Sequence, residues 1–375
     1  MSRDFSTLHR QVVFGNAGGR TIWQPRIGCW VTDRAFAGDP FPAPFTGMDL
    51  YAIYRELDCS ARLYEYNACF RRIEHPAVST TSEQLNETDT RTVIQTPVGR
   101  QVRVLRRTPS SWHPITVEWE VATEDELKVA TWREEHTGWD WDQAAYEQLQ
   151  AEVGDLGAAT MFMPRMNVQS LYIEKMGSQQ GIYAIYDWPD TVEAYFRALE
   201  ESHSRLIDVI NASPIDIINF GENVHAGTLP PQWFLKYHLP ACQRRVERLH
   251  AADKFVSAHW DGDVKPLLPY VHETGLDGIE AITPYPQGDV TLEEIKAALG
   301  DEVFLMDGIP AIYFDTTFSE KTLADCAARI IELFAPNLVL GISDEISSTG
   351  DLERVRLVGQ MVDAYNAQFG GGPAR

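Results

Sequence analysis

Long apolar runs are missing from this chain. None approaches the roughly 18–20 residues that a membrane-spanning helix needs. The opening Met1-Ser2-Arg3-Asp4-Phe5 has no apolar core of a secretion signal, so the sequence predicts a soluble, cytoplasmic protein without a membrane partner. Basic residues are scarce: 32 Lys and Arg face 54 Asp and Glu, for a formal net charge of −22. So acidic a chain repels phosphate backbones, which argues against a nucleic-acid partner. Cysteine is sparse too, and Cys29, Cys59, Cys69, Cys242 and Cys326 include no CxxC pair. That speaks against a disulfide framework and against a thiolate zinc knuckle, so any metal must take mostly oxygen and nitrogen ligands. Internal repeats, low-complexity tracts and a recognisable linker are also absent.

What the chain does have is apolar material. Hydrophobic residues make up 44% and aromatics 11%, enough for a large core and too much for global disorder. Its 375 residues suggest two or three domains by length alone, but single α/β barrels commonly exceed about 250. From Pro214 onward short β-rich runs alternate with amphipathic stretches. The runs are 216–220, 254–258, 277–282, 302–306 and 337–342, and the helical patterns are 230–252, 264–274, 291–299, 318–335 and 351–367. Thr291 with Glu294 forms a capping box at one helix start. Strands apolar on both faces and separated by helices imply a parallel sheet covered by helices. A (β/α)8 barrel or an open doubly wound sheet fits that pattern.

The first half is less regular. A strand is expected at 20–24, then a Pro/Gly-rich loop at 37–44 and a helix near 49–57. The runs 92–96 and 101–105 flank the turn Pro97-Val98-Gly99 and read as a β-hairpin. Thr123/Glu126 and Asp190/Glu193 carry helix-start signatures. Further strands are expected at 159–163 and 183–186, and the tail 369–373 is expected to fray. The preferred architecture is one barrel spanning 1–375, with a hairpin-and-loop elaboration within 1–150.

In a parallel α/β barrel the reactive side chains sit at the C-terminal ends of the strands. Those positions hold Glu222, Asn223 and His225, then His259 and Asp261, then Glu280, Asp307, and Ser343-Asp344-Glu345. Some of these acids would serve as helix caps. His259 and Asp261, two residues apart at a strand end, suit shared ligation of one cation.

The same residues carry a family resemblance. Residues 214–367 resemble the uroporphyrinogen decarboxylase superfamily, more closely its cobalamin-dependent methyltransferase branch. The matching segments are Pro230-Pro231-Gln232-Trp233-Phe234, Ser257-Ala258-His259-Trp260-Asp261-Gly262, Gly275 through Pro284, Gln287 through Leu292, Gly308-Ile309-Pro310 and Leu340 through Asp344. A thinner likeness reaches Ile22-Trp23-Gln24-Pro25-Arg26 and Thr96-Pro97-Val98-Gly99. The resemblance implies a (β/α)8 TIM barrel.

Two departures steer the function it implies. Decarboxylases of the family open with Arg-Gln-Ala-Gly-Arg, which grips substrate carboxylates; here Gln24-Pro25-Arg26-Ile27-Gly28 supplies one arginine. The methyltransferases bind zinc through His-x-Cys and a later cysteine; here the pair is His259-x-Asp261 and the later position falls near Ser343-Asp344. An oxygen-rich site is a harder Lewis acid, better matched to an ether oxygen than to a thiol. The expected function is therefore metal-assisted transfer of a methyl group from a methylated, preferably methoxylated, small molecule to cob(I)alamin. Zinc is expected on Glu222, His259, Asp261 and Asp344, with His259, Asp261 and Glu222 as the catalytic set. Trp23, Arg26, Tyr66, Asn223, Glu280 and Asp307 are expected to bind substrate, with Trp30 and Tyr64 as further pocket aromatics. The corrinoid is expected on a separate partner protein, and a homodimer stays open. Remaining alternatives are a methylcobalamin:acceptor transferase, a decarboxylase, and a barrel that binds a metal or tetrapyrrole without turnover.

Overall fold

A computed structural model describes residues 3–109 and 111–369; the predicted frayed tail beyond Phe369 lies outside them. Seven parallel strands form one curled sheet, in the order Ile22–Trp23, Leu338–Ser343, Phe304–Pro310, Gly278–Glu280, Phe255–Trp260, Ile217–Val224 and Thr160–Met163. The extended segment 60–63 fills the gap between the two edges. Ser60 N–H donates to the Trp23 carbonyl at 3.0 Å, Ala61 N–H donates to the Leu156 carbonyl at 2.8 Å, and Leu63 bridges Ala159 in parallel. The sheet thereby closes into the expected (β/α)8 barrel, with its second strand reduced to a stub.

The helices follow the sequence signals closely in the second half, at Leu239–His250, Leu292–Leu299, Glu320–Phe334 and Leu352–Asn366. Thr123 and Thr291 both form complete capping boxes, with Glu126 and Glu294. Two expectations fail. Residues 183–186 belong to the helix Ser178–Asp187, whose buried Gly181, Ala184 and Ile185 recur at helical spacing. Asp190 does not cap its helix: the helix starts at Pro189, whose fixed φ favours the first position.

The predicted hairpin exists, pairing Thr96 with Gly99, inside a larger antiparallel sheet of Ser79–Gln84, Asp89–Thr96, Gly99–Thr108 and Ser111–Glu118. At the other end of the barrel the helix Phe5–Val13, capped by Asp4, buries Phe5, Val12 and Val13 against Ile22, Ile217, Phe255, Phe304 and Val339. These are residues at the starts of strands, so the helix covers the N-terminal end of the barrel.

Candidate active site at the barrel mouth

Strand alternation divides each barrel residue between interior and helix layer. Along Ile217–Val224, Ile218 and Phe220 join the large core under the helices, while Asn219 points inward and donates to Ser257 Oγ at 3.1 Å and Glu280 Oε2 at 2.9 Å. Along Phe255–Trp260, Ser257 and His259 share that inward phase. Asp307 turns inward through a left-handed φ of 76°, and Gly341 opposite leaves it room: a Cβ there would sit 2.2 Å from Asp307 Oδ1. Asn223 and Ala281, at the ends of the strands on either side of Phe255–Trp260, have φ of 53° and 68°. Such conformations cost on the order of 1–3 kcal/mol each and gather at functional sites.

Above the apolar floor lies a charged network centred on Glu280. Its carboxylate accepts from Arg62 Nη1, from Tyr64 Oη at 2.8 Å and from Asn219, and His259 Nδ1 lies 2.9 Å from its second oxygen. Arg62 also donates to both oxygens of Asp307, at 2.6 and 3.0 Å, and to Gln24 Oε1 at 3.0 Å. Burial alone would raise the Glu280 carboxyl, but Arg62 and His259 hold it well below the usual range. Burial alone would lower His259, yet its bond to Glu280 keeps the imidazole above its ordinary 6.5. Glu280 therefore fixes a proton on Nδ1 and favours a second on Nε2. Nε2 lies 4.0 Å from Asp261 Oδ2.

Of the predicted site residues, His259, Asp261, Asn223, Glu280, Asp307 and Arg26 meet at this mouth. Arg26 pairs with Asp344 at 2.7 Å and Glu345 at 3.5 Å, which places Asp344 at the rim. Glu222 does not join them. It has the opposite strand phase and faces the helix layer, where it accepts from Met166 N–H at 3.1 and 3.2 Å. Burial raises its carboxyl to about 8. Trp23 also points outward, stacking on Phe314 at 6.3 Å and donating to the Val355 carbonyl. Tyr66 is core, accepting from Gln150 at 2.7 Å, and Trp30 donates to the Gly350 carbonyl within the core. Tyr64 alone of the four aromatics reaches the network.

The predicted zinc set is not brought together. A tetrahedral zinc with bonds near 2.0–2.2 Å holds its ligands about 3.3 Å apart. Here His259 Nδ1 is committed to Glu280, Asp344 to Arg26, and Glu222 faces away. Among the described residues no three His, Cys, Asp or Glu side chains are arranged to hold a metal ion. The donors as placed do not fit a zinc ion.

Sequence reasoning missed Arg62, whose only signal is a lone basic residue inside the small, apolar run Cys59-Ser60-Ala61-Arg62-Leu63. It is a second arginine at this end of the barrel, but Glu280, Asp307, Asp344 and Glu345 already oppose the two guanidiniums. A cleft of about 410 Å³ opens beside the network, lined by Trp119, Gln169, Tyr172, Ile173, Asn223 and Asp261 among others. Asn223 joins it to the mouth, donating to Asp261 Oδ2 at 3.2 Å and accepting from Arg165.

Residues 173–364, just over half of the chain, match the family Uroporphyrinogen decarboxylase (URO-D). Among solved structures, a methyltransferase from Methanosarcina mazei superposes with a TM-score of 0.59 at 13% identity, over 99% of this chain and 100% of that one. At that identity the likeness bears on the fold alone. No curated protein sequence matches the chain.

Proposed function

Since the chain belongs to the uroporphyrinogen decarboxylase family, we propose that it is an enzyme of that family's methyl-transferring kind, an O-demethylase component. It takes the methyl group of a methoxylated small molecule and passes it to a reduced corrinoid carried by a separate partner protein. The observation that carries this reading is His259, buried at the mouth with its Nδ1 locked to Glu280 at 2.9 Å and its Nε2 left for a substrate atom.

The chemistry requires the methyl C–O bond to break with its electron pair staying on oxygen, while the acceptor's lone pair forms the new bond to carbon. His259 Nε2–H supplies the proton that neutralises the departing oxygen, and Glu280 stabilises the imidazolium before transfer. Asn223 and Asp261 orient the donor from the rim. Arg62 holds Glu280 ionised, so that Glu280 keeps accepting from His259. The acid-rich lining also disfavours a polycarboxylate substrate, which weighs against decarboxylation of a porphyrinogen.

Anaerobic mixing of the protein with reduced corrinoid and guaiacol tests the reading by the absorbance change from cob(I)alamin to methylcobalamin. His259→Gln is expected to slow transfer by roughly 10²–10⁴-fold, the usual worth of a general acid. Because the His259 pKa is raised, transfer is expected to fall as pH climbs through a value above 6.5, and that limb should vanish in the variant. Wild-type rates in His259→Gln, or no methylcobalamin from any methoxylated donor, would overturn the proposal.

A further inference from the structure

A cavity of about 460 Å³ lies between the helices Pro189–Ala212 and Leu239–His250 and shares no lining residue with the network at His259. Its lining carries three acids, Glu193, Glu200 and Glu201, and three bases, Arg197, Lys236 and Arg244, so the formal charges cancel. They do not all pair. Lys236 donates to Glu193 at 2.9 Å, and Arg245 from outside the lining holds Glu200 at 2.6 Å. Arg197, Arg244 and Glu201 make no hydrogen bond or ion pair among the described residues, although Arg197 lowers the Glu193 carboxyl through space. Arg197 and Glu201 stand four apart on one helix with the base first, which is the weaker order for an internal pair.

Asn167 is the buried polar member of the lining, 4% exposed. Its Nδ2 donates to the Tyr237 carbonyl at 2.8 Å, while its Oδ1 has no partner; a buried acceptor left unmatched is costly. Its φ of 44° is a left-handed setting that asparagine tolerates. Bonds from Met166 N–H to the Glu222 carboxylate and from Gln169 Nε2 to the Glu222 carbonyl hold the segment on either side. The unmatched groups share one complement. Two guanidiniums call for a carboxylate. Glu201 and Asn167 Oδ1 call for a cation that still carries N–H donors, as a primary ammonium does and a quaternary one does not. A lone anion would meet Glu201, and a lone cation would meet Arg197 and Arg244. Past Glu201 and Arg244 a further space of about 230 Å³ opens beside Ile207, which suits an apolar side chain.

We propose that this cavity binds an α-amino acid with an apolar side chain. The carboxylate lies on Arg197 and Arg244, the ammonium donates to Asn167 Oδ1 and Glu201, and the side chain runs toward Ile207. The site stands apart from the methyl-transfer reading, and its occupancy needs neither a corrinoid nor a methyl donor.

The test is titration calorimetry on the full chain with L-phenylalanine as the probe. Two comparison compounds each lack one charge: 3-phenylpropionate has no ammonium and 2-phenylethylamine has no carboxylate. Phenylalanine should bind at least about ten-fold more tightly than either, as expected for a charge-assisted contact. Arg244 and Glu201 are exposed, so replacing them spares the core. Arg244→Gln should weaken phenylalanine about ten-fold without weakening 2-phenylethylamine. Glu201→Gln should narrow the gap between phenylalanine and 3-phenylpropionate to within about three-fold. No binding of phenylalanine, equal binding of the three compounds, or an unchanged affinity in Arg244→Gln would overturn the proposal. No corrinoid enters this assay, so its outcome and that of the methyl-transfer test stand separately.

Discussion

Replacing Arg62 with methionine isolates the central charge network. The side chain is 4% exposed and faces two carboxylates, Glu280 and Asp307, that are wholly buried. Methionine fills similar volume but leaves both acids without their cation, and breaking a buried pair from one side costs about 3–5 kcal/mol. At ~2.1 cal/mol/K of unfolding entropy per residue, a 375-residue chain unfolds with ~0.8 kcal/mol/K. The expected fall in Tm is therefore about 4–6 °C near neutral pH. The pH dependence carries the sharper signature. Asp307 already sits at about 6, raised by burial and by Glu280 against the pull of Arg62; without the guanidinium the two acids crowd one another and that folded pKa climbs further above the unfolded value near 4. Stability from such a group is fully present below the unfolded pKa and is lost as pH rises through the folded one. The deficit against wild type should be widest above neutrality and narrow toward about pH 5. Adding Asp307→Asn should recover part of it. Thermal melts by circular dichroism at several pH values measure all of this. A shift below about 1 °C, or one of equal size at every pH, would refute the placement of Arg62 between two ionised acids.

Glu222 gives an independent check, because its folded pKa of about 8 lies above the ordinary 4.5. Its contribution to stability is complete below 4.5 and drains away up to about 8, at as much as ~1.4 kcal/mol per pH unit. Glu222→Gln should thus melt near wild type in mild acid and above it in alkali; equal melts across pH would contradict the burial argument. Transfer activity should survive exhaustive chelation, since the donors as placed do not converge on a metal; loss of activity restored by added zinc would show a rearrangement on loading.

The sequence made the second half of the barrel legible because each strand there is a short apolar run and each helix a long periodic one. It located Asp261, Glu280, Asp307 and His259 at strand ends for the same reason. It misjudged which way others face. In a barrel whose lower interior is as apolar as its outer face, Ile217 and Ile218 look alike, so strand phase is ambiguous. Glu222 and Trp23 each lie one residue from a true interior position, Asn223 and Gln24. Arg62 was hidden more deeply, on a strand too short to show any alternation. The left-handed turn at Asp307 lies beyond any periodic reading.

The helix Phe5–Val13 closes the barrel from below, and this has a kinetic consequence. On the proposed methyl-transfer reading, a small donor at His259, a side chain only 3% exposed, would lie deeper than a macromolecular acceptor seated across the mouth. If the acceptor docks first it blocks entry, and if it stays after transfer it blocks departure. Turnover would then follow a compulsory order, donor in first and spent donor out last, with excess acceptor acting as an inhibitor of donor entry.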